Sequence, residues 1–182
     1  MKIDELKTIG DILFWYYSNL AMAHAAVVEG KEKYGRIHYM IRAKLFKGLK
    51  DGKMNVGSIL DDEKYKMTLP QVCSYCGSSK NLSMDHLIPK SKGGIDSGDN
   101  VVWACKSCNS SKGAKDMLVW MNLKGNCPSL LLLRRYLKLA ILHCHENDLL
   151  ECSINESDNL PFSLHAIPRK LPLPSELILC IK

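Results

Sequence analysis

Two Cys-x-x-Cys pairs, Cys73/Cys76 and Cys105/Cys108, separated by 28 residues, constrain this 182-residue chain more than any other feature. Each pair presents two thiolates from one tight turn. Two such knuckles offer four sulfurs tetrahedrally to a zinc ion and leave no coordination position open, which makes the site structural. It would tie the start of a hairpin to the start of the helix that follows, a task beyond the small apolar core of about fifty residues. A redox Cys-x-x-Cys would need only one pair. The eight cysteines could also be read as disulfides, but this spacing in a chain without an export-like leader favours metal thiolates.

The charged, helix-like start Met1-Lys-Ile-Asp-Glu-Leu-Lys is unlike a secretory signal, and a cytoplasmic location is the default expectation. The uncharged run Ile12 to Val28 covers 17 residues, but Ser18, Asn19 and His24 interrupt it, so a buried helix is favoured over a membrane span. A hydrophobic content of 46% supports a real core and excludes a disordered chain. The net charge of +6 is a moderate bias toward a polyanion. Its distribution is more informative. Residues 1–70 carry 12 basic and 9 acidic side chains, 71–125 carry 7 and 4, and 126–182 carry 6 of each. The positive excess therefore lies on the cysteine region and the segment before it.

Three segments follow from this pattern. Residues 1–70 read as a helical N-terminal segment and linker, with one helix from Asp4 to about Val28 stopped by Gly30 and a second from Glu32 to Leu49. The second helix would bury Tyr34, Ile37, Met40, Ile41, Leu45 and Phe46 on one face. The stretch 51–70, with Asp61-Asp62-Glu63, reads as the linker. Residues 71–122 read as a compact core: a strand over Leu82 to Ile88, a glycine-bearing loop, a return strand Val101-Val102-Trp103, and a helix from near Asn109 through Met121. Residues 123–182 read as an apolar helix from Ser129 to about Asn147, followed by a Pro-containing extended tail that wraps the surface. The fold class is α+β.

Inside the four-cysteine interval lies a second set of chemistry-bearing residues. In Asp85-His86, the carboxylate can ligate a hard divalent cation and the imidazole can take a proton from water. A regular strand points neighbouring side chains to opposite faces, so aiming both at one target calls for a bulge or bend. Alone, such a dipeptide is more often a surface pair; its position before the basic loop Pro89-Lys90-Ser91-Lys92-Gly93-Gly94, suited to approaching phosphates, strengthens the functional reading. Asn109 is either a helix N-cap or a ligand through its amide oxygen. Lys112, three residues on, either points at the same phosphate or is an ordinary solvated lysine. Asn100 reads as a turn residue, and equally as one whose amide could tie the loop to the backbone beside His86. His143-Cys144-His145 sits at helical positions that point apart, and Arg134-Arg135 either contacts phosphate or, the favoured reading, is the solvated face of the last helix.

Taken together, Cys73-x-x-Cys76, Leu82-Ser83-Met84-Asp85-His86-Leu87-Ile88-Pro89, Gly93-Gly94, Asp99-Asn100-Val101 and Ala104-Cys105-x-x-Cys108-Asn109-x-x-Lys112-Gly113 resemble the HNH endonucleases of the four-cysteine, ββα-metal kind. The resemblance covers about residues 71–115. It implies that His86 is the general base, that Asp85 and Asn109 bind a catalytic Mg²⁺ or Mn²⁺ ion, and that Asn100 positions the loop and His86. Asn109 stands where the family name has its last His, and a neutral amide predicts a weak ion site completed by water and substrate phosphate.

The expected function is thus hydrolysis of phosphodiester bonds by nicking or double-strand cutting, with Lys90, Lys92 and Lys112 as substrate contacts and a role in restriction or phage defence. DNA is favoured over RNA by the resemblance alone. The competing class is a non-catalytic zinc-stabilised module that binds nucleic acid or a partner. The flanking helices exceed what a small nuclease core requires, which suits a homodimer or a partner protein, or simply shielding of the core.

Overall fold

The computed structural model describes residues 6–59, 67–168 and 170–181. Asp61-Asp62-Glu63 of the expected linker and the first five residues lie outside this range. Helix α1 spans Ile9–Val28, five residues later than its expected start, because Thr8 is the cap: its hydroxyl accepts the Asp11 amide at 3.1 Å. Helix α2 spans Arg36–Lys50. The two helices pack on each other through contacts such as Trp15 against Phe46, with ring centroids 5.4 Å apart and nearly perpendicular. Asp11, buried in α1, is met by Lys50 Nζ at 2.6 Å. The face α2 buries is narrower than expected. His38, Phe46 and Leu49 are buried, whereas Ile37 and Met40 stay 60% and 59% exposed.

The hairpin comprises β1 (Leu82–His86) and β2 (Val101–Cys105), antiparallel and in unbroken register from Leu82 opposite Cys105 to His86 opposite Val101. Helix α3 (Lys106–Lys112) follows β2 directly and packs on both strands. The single helix expected through Met121 is two. Gly113, at a φ of +53°, ends α3, and Asp116 caps α4 (Met117–Leu123) by accepting the Leu118 and Val119 amides at 2.9 and 3.1 Å. The competing local preference of Asp for a cap defeats the helical periodicity there.

Helix α5 (Leu130–Glu146) packs against α1. Tyr136 on α5 is fully buried, and its hydroxyl donates to Asp116 Oδ2 at 2.5 Å, joining α5 to the cap of α4. The tail departs from the extended wrap of the sequence reading. It forms a six-residue 3₁₀ helix at Ile154–Asn159 and single 3₁₀ turns at Leu164–Ala166 and Pro174–Glu176, and it buries Phe162, Leu164, Ile167 and Leu177. Its Ile178 and Leu179 carbonyls accept the Leu130 and Leu131 amides, which have no partner within the first turn of a helix. One continuous set of buried apolar side chains runs from Leu6 through Leu13, Phe46, Leu87, Met117 and Tyr136 to Leu177. No helix among the described residues is long and apolar enough to cross a membrane.

Candidate active site on a thiolate-clamped hairpin

The four sulfurs of Cys73, Cys76, Cys105 and Cys108 lie within 4.8 Å of one another, with Cys76 and Cys105 3.7 Å apart. Tetrahedral Zn–S bonds of about 2.3 Å place sulfurs at about this separation, so the set can hold a structural metal such as zinc. The turn carrying Cys73 is braced by its own backbone: Gly77 N donates to Cys73 O and Cys73 N to Ser78 O, both at 2.8 Å. Cys105 caps α3, and the Cys108 amide points at its sulfur at 3.5 Å. A backbone N–H aimed at the Cys105 sulfur lowers that thiol from its ordinary value.

At the opposite end of the hairpin, Asn100 organises the loop. Its Oδ1 accepts the Ile88 amide at 2.9 Å, and its Nδ2 donates to the Ile88 and Ile95 carbonyls at 2.8 and 2.9 Å. The side chain is fully buried, so these bonds are not traded for water. Gly94 is required by the same lacing: a Cβ there would lie 2.0 Å from the Ile88 carbonyl oxygen and 3.0 Å from Asn100 Nδ2. From outside, Arg135 of α5 donates to the Gly98 carbonyl at 2.6 Å and the Asp99 carbonyl at 2.5 Å. Arg135 is therefore a buried brace, where its neighbourhood in the sequence suggests a solvated residue. The structure turns it toward two carbonyls that no local pattern pairs with it.

His86 closes β1 beside this loop. Its Nε2 lies 3.0 Å from Asp96 Oδ1, and Lys90 Nζ lies 2.5 Å from Asp96 Oδ2. Lys90, followed by the reciprocal pull of His86, holds Asp96 below its ordinary value. Lys90 and Lys92 are both exposed on a single 3₁₀ turn. Nothing in the local spacing singles out Asp96, which lies ten residues beyond His86 across two glycines.

Asp85 faces the other way. It is buried, its Oδ2 accepts the Tyr75 hydroxyl at 2.6 Å, and its Oδ1 accepts Lys112 Nζ at 3.1 Å. Burial, then the Asp85 charge, push Tyr75 well above its ordinary value, so this hydroxyl stays a donor. Tyr75 lies inside the first Cys-x-x-Cys, a position from which it could have been picked out. Lys112 also donates to the His86 carbonyl at 2.6 Å and is only 1% exposed. It is thus neither the solvated lysine nor the phosphate-facing one of the sequence reading, because a buried carboxylate claims its ammonium. Five consecutive residues of β1 pair with five of β2, so there is no bulge between Asp85 and His86. Their side chains take separate partners.

Asn109 is the fourth residue of α3, and Cys105 is the cap, which removes the capping role for Asn109. Its Nδ2 donates to Ser83 Oγ at 2.9 Å and to the Met84 carbonyl at 3.2 Å, laying the amide over β1.

A two-stranded hairpin, a following helix and four thiolates clamping their junction define the ββα-metal class of core. Residues 73–115 match the family described as HNH endonuclease, and this stretch is an HNH domain. The chain is also similar to a CRISPR-associated endonuclease Cas9 of Corynebacterium diphtheriae, at 36% identity over 87 residues, which is 43% of this chain and 8% of that relative's length. No solved structure matches it significantly.

Proposed function

We propose that the protein is a metal-dependent endonuclease that hydrolyses phosphodiester bonds in DNA, with His86 as the general base. The observation that carries this reading is the HNH match over residues 73–115, read together with His86 held at the mouth of a loop carrying Lys90 and Lys92. Asp85 and Asn109 offer hard oxygen donors of the kind a Mg²⁺ or Mn²⁺ ion takes. Such an ion, when bound, neutralises charge on the phosphoryl oxygen and the departing 3′ oxygen. Because Lys112 occupies Asp85 Oδ1, an ion held by Asp85 would displace that ammonium or share the carboxylate with it. Cys73, Cys76, Cys105 and Cys108 would hold the separate, structural zinc.

The chain's own residues then have distinct tasks. His86 takes a proton from a water in line with the phosphorus as the new P–O bond forms and the bond to the 3′ oxygen breaks. Lys90 and Lys92 draw the phosphate backbone to the loop, a contact that positions without reading sequence. Asn100 keeps that loop from drifting relative to His86. RNA as substrate, a part in restriction or phage defence, and a homodimer or partner docked on the flanking helices are narrower or alternative readings that rest on the resemblance and on composition.

The engagement of both Asp85 oxygens, one by Tyr75 and the other by Lys112, favours one competitor, a zinc-stabilised module that binds nucleic acid without cutting it. Nicking of supercoiled plasmid with Mg²⁺ or Mn²⁺, against a chelator control, separates the two. His86→Ala should lower the cutting rate by about 10²- to 10⁴-fold, the usual contribution of a positioned base, while zinc content and thermal midpoint stay as in the parent. Cutting that persists unchanged in this variant would remove His86 from the mechanism; binding without any metal-dependent cut would favour the module.

A further inference from the structure

The loop between β1 and β2 does more to His86 than lie beside it. The Asp96 carboxylate sits in line with one ring nitrogen, Oδ1 to Nε2 at 3.0 Å, while Lys90 engages the other oxygen. The backbone before Asp96 is fixed, since the Ile95 carbonyl is held by the fully buried Asn100. Gly94 permits that approach, because any side chain there would strike Ile88. An ionised carboxylate can only accept a hydrogen bond. The shared hydrogen must therefore sit on Nε2, which leaves the lone pair of a neutral imidazole on Nδ1.

We propose that Asp96 is a positioning residue for the nuclease reaction: by accepting the Nε2–H of His86 it fixes the ring's orientation and tautomer, so that Nδ1 is the nitrogen that receives the proton from water. The arrangement follows the logic by which an orienting acid serves a histidine base elsewhere. It rests on His86 being the base. Lys90 acquires a second task, because its ammonium steers Asp96 toward the ring as well as attracting phosphate. The contact is exposed to solvent, with Asp96 64% exposed, so its worth lies in orientation and not in stability.

The test pairs cleavage kinetics with the imidazole nitrogens of His86, followed by ¹⁵N NMR and assigned by comparison with His86→Ala. In the parent protein the neutral ring should be the Nε2–H form. Asp96→Ala should lower kcat by about 10- to 100-fold, part of what a positioned base contributes, with KM for DNA changed by less than about threefold. The hydrogen-bonded Nε2–H signal should be lost, and the thermal midpoint should be retained. Asp96→Glu should recover part of kcat, whereas Asp96→Asn should not, because Lys90 would hold the amide oxygen and leave the NH2 donor facing Nε2. Parental kcat and an unaltered Nε2–H signal in Asp96→Ala would overturn the proposal while leaving His86 as base if His86→Ala is dead. A rise in KM without a fall in kcat would also overturn it by making Asp96 a substrate contact. Active His86→Ala would overturn both readings together.

Discussion

The two ends of one short hairpin are held by different physics. At the knuckle end, four cysteine sulfurs within 4.8 Å of each other form a cluster that can hold a structural metal such as zinc, and such an ion would supply the clamp there. At the loop end the clamp is protein alone: the Asn100 amide, the cradle at Gly94 and the Arg135 guanidinium on the Gly98 and Asp99 carbonyls. With its four thiolates on a metal, the first end would be a closed site with no open coordination position. The second must hold His86 yet leave Lys90 and Lys92 open to solvent. The two clamps lie at opposite ends of the same hairpin, Cys105 opposite Leu82 at one end and His86 opposite Val101 at the other.

This contrast can be broken at either end. Stripping the thiolate metal with a strong chelator should have the largest effect, since structural zinc contributes on the order of 10 kcal/mol to folding in small metal modules. Circular dichroism and metal analysis should show loss of the cooperative transition together with loss of zinc; a chelated chain that melts as before would show that the flanking helices suffice. Asn100→Ala should act only on the loop end. It strands the buried Ile88 amide and the Ile88 and Ile95 carbonyls, and should cost about 3 kcal/mol by denaturant titration, with zinc still bound stoichiometrically. Zinc lost in parallel with stability would mean that the two clamps form one cooperative unit.

The smallest effect sharpens the comparison from outside both clamps. Burial pushes the Asp11 carboxyl up, but hydrogen bonds from Lys50 and from the Lys7 and Thr8 backbone outweigh it and hold the group below its ordinary value. A depressed folded value means that the folded state releases this proton more readily than the unfolded one. Its stabilisation is therefore present above the unfolded value and is lost as the pH falls through the lower, folded value. Asp116 has the opposite sign: burial raises it, so charging it costs stability at higher pH and acid relieves that cost. Denaturation curves between pH 2 and 6 should show Asp11→Asn converging on the parent in acid, with plasmid nicking at neutral pH unaltered. A constant gap across that range would remove Asp11 from the acid response.

Much of the candidate site was legible because its signals are local. Cys-x-x-Cys is written within four residues, and the thiolate cluster follows from two copies of it. The helices α1 and α5 were legible for a similar reason, since apolar periodicity over many residues is a strong pattern. What sequence reading missed are contacts made across long separations by single side chains. Arg135 reaches carbonyls 36 and 37 residues away, and Tyr136 reaches Asp116 across 20. The burial of Lys112 could not be inferred either, because it depends on the Asp85 carboxylate of β1, 27 residues away.

By itself, then, the sequence determined the four-thiolate frame, the α+β order of elements and the set of residues from which a nuclease site can be drawn, because these depend on spacing and periodicity. The tertiary structure alone decided how those residues are partnered. It turned Asp85 inward to Tyr75 and Lys112 and gave His86 to Asp96, since side chains on successive strand residues leave opposite faces and what waits on each face is set by chain that is distant in sequence.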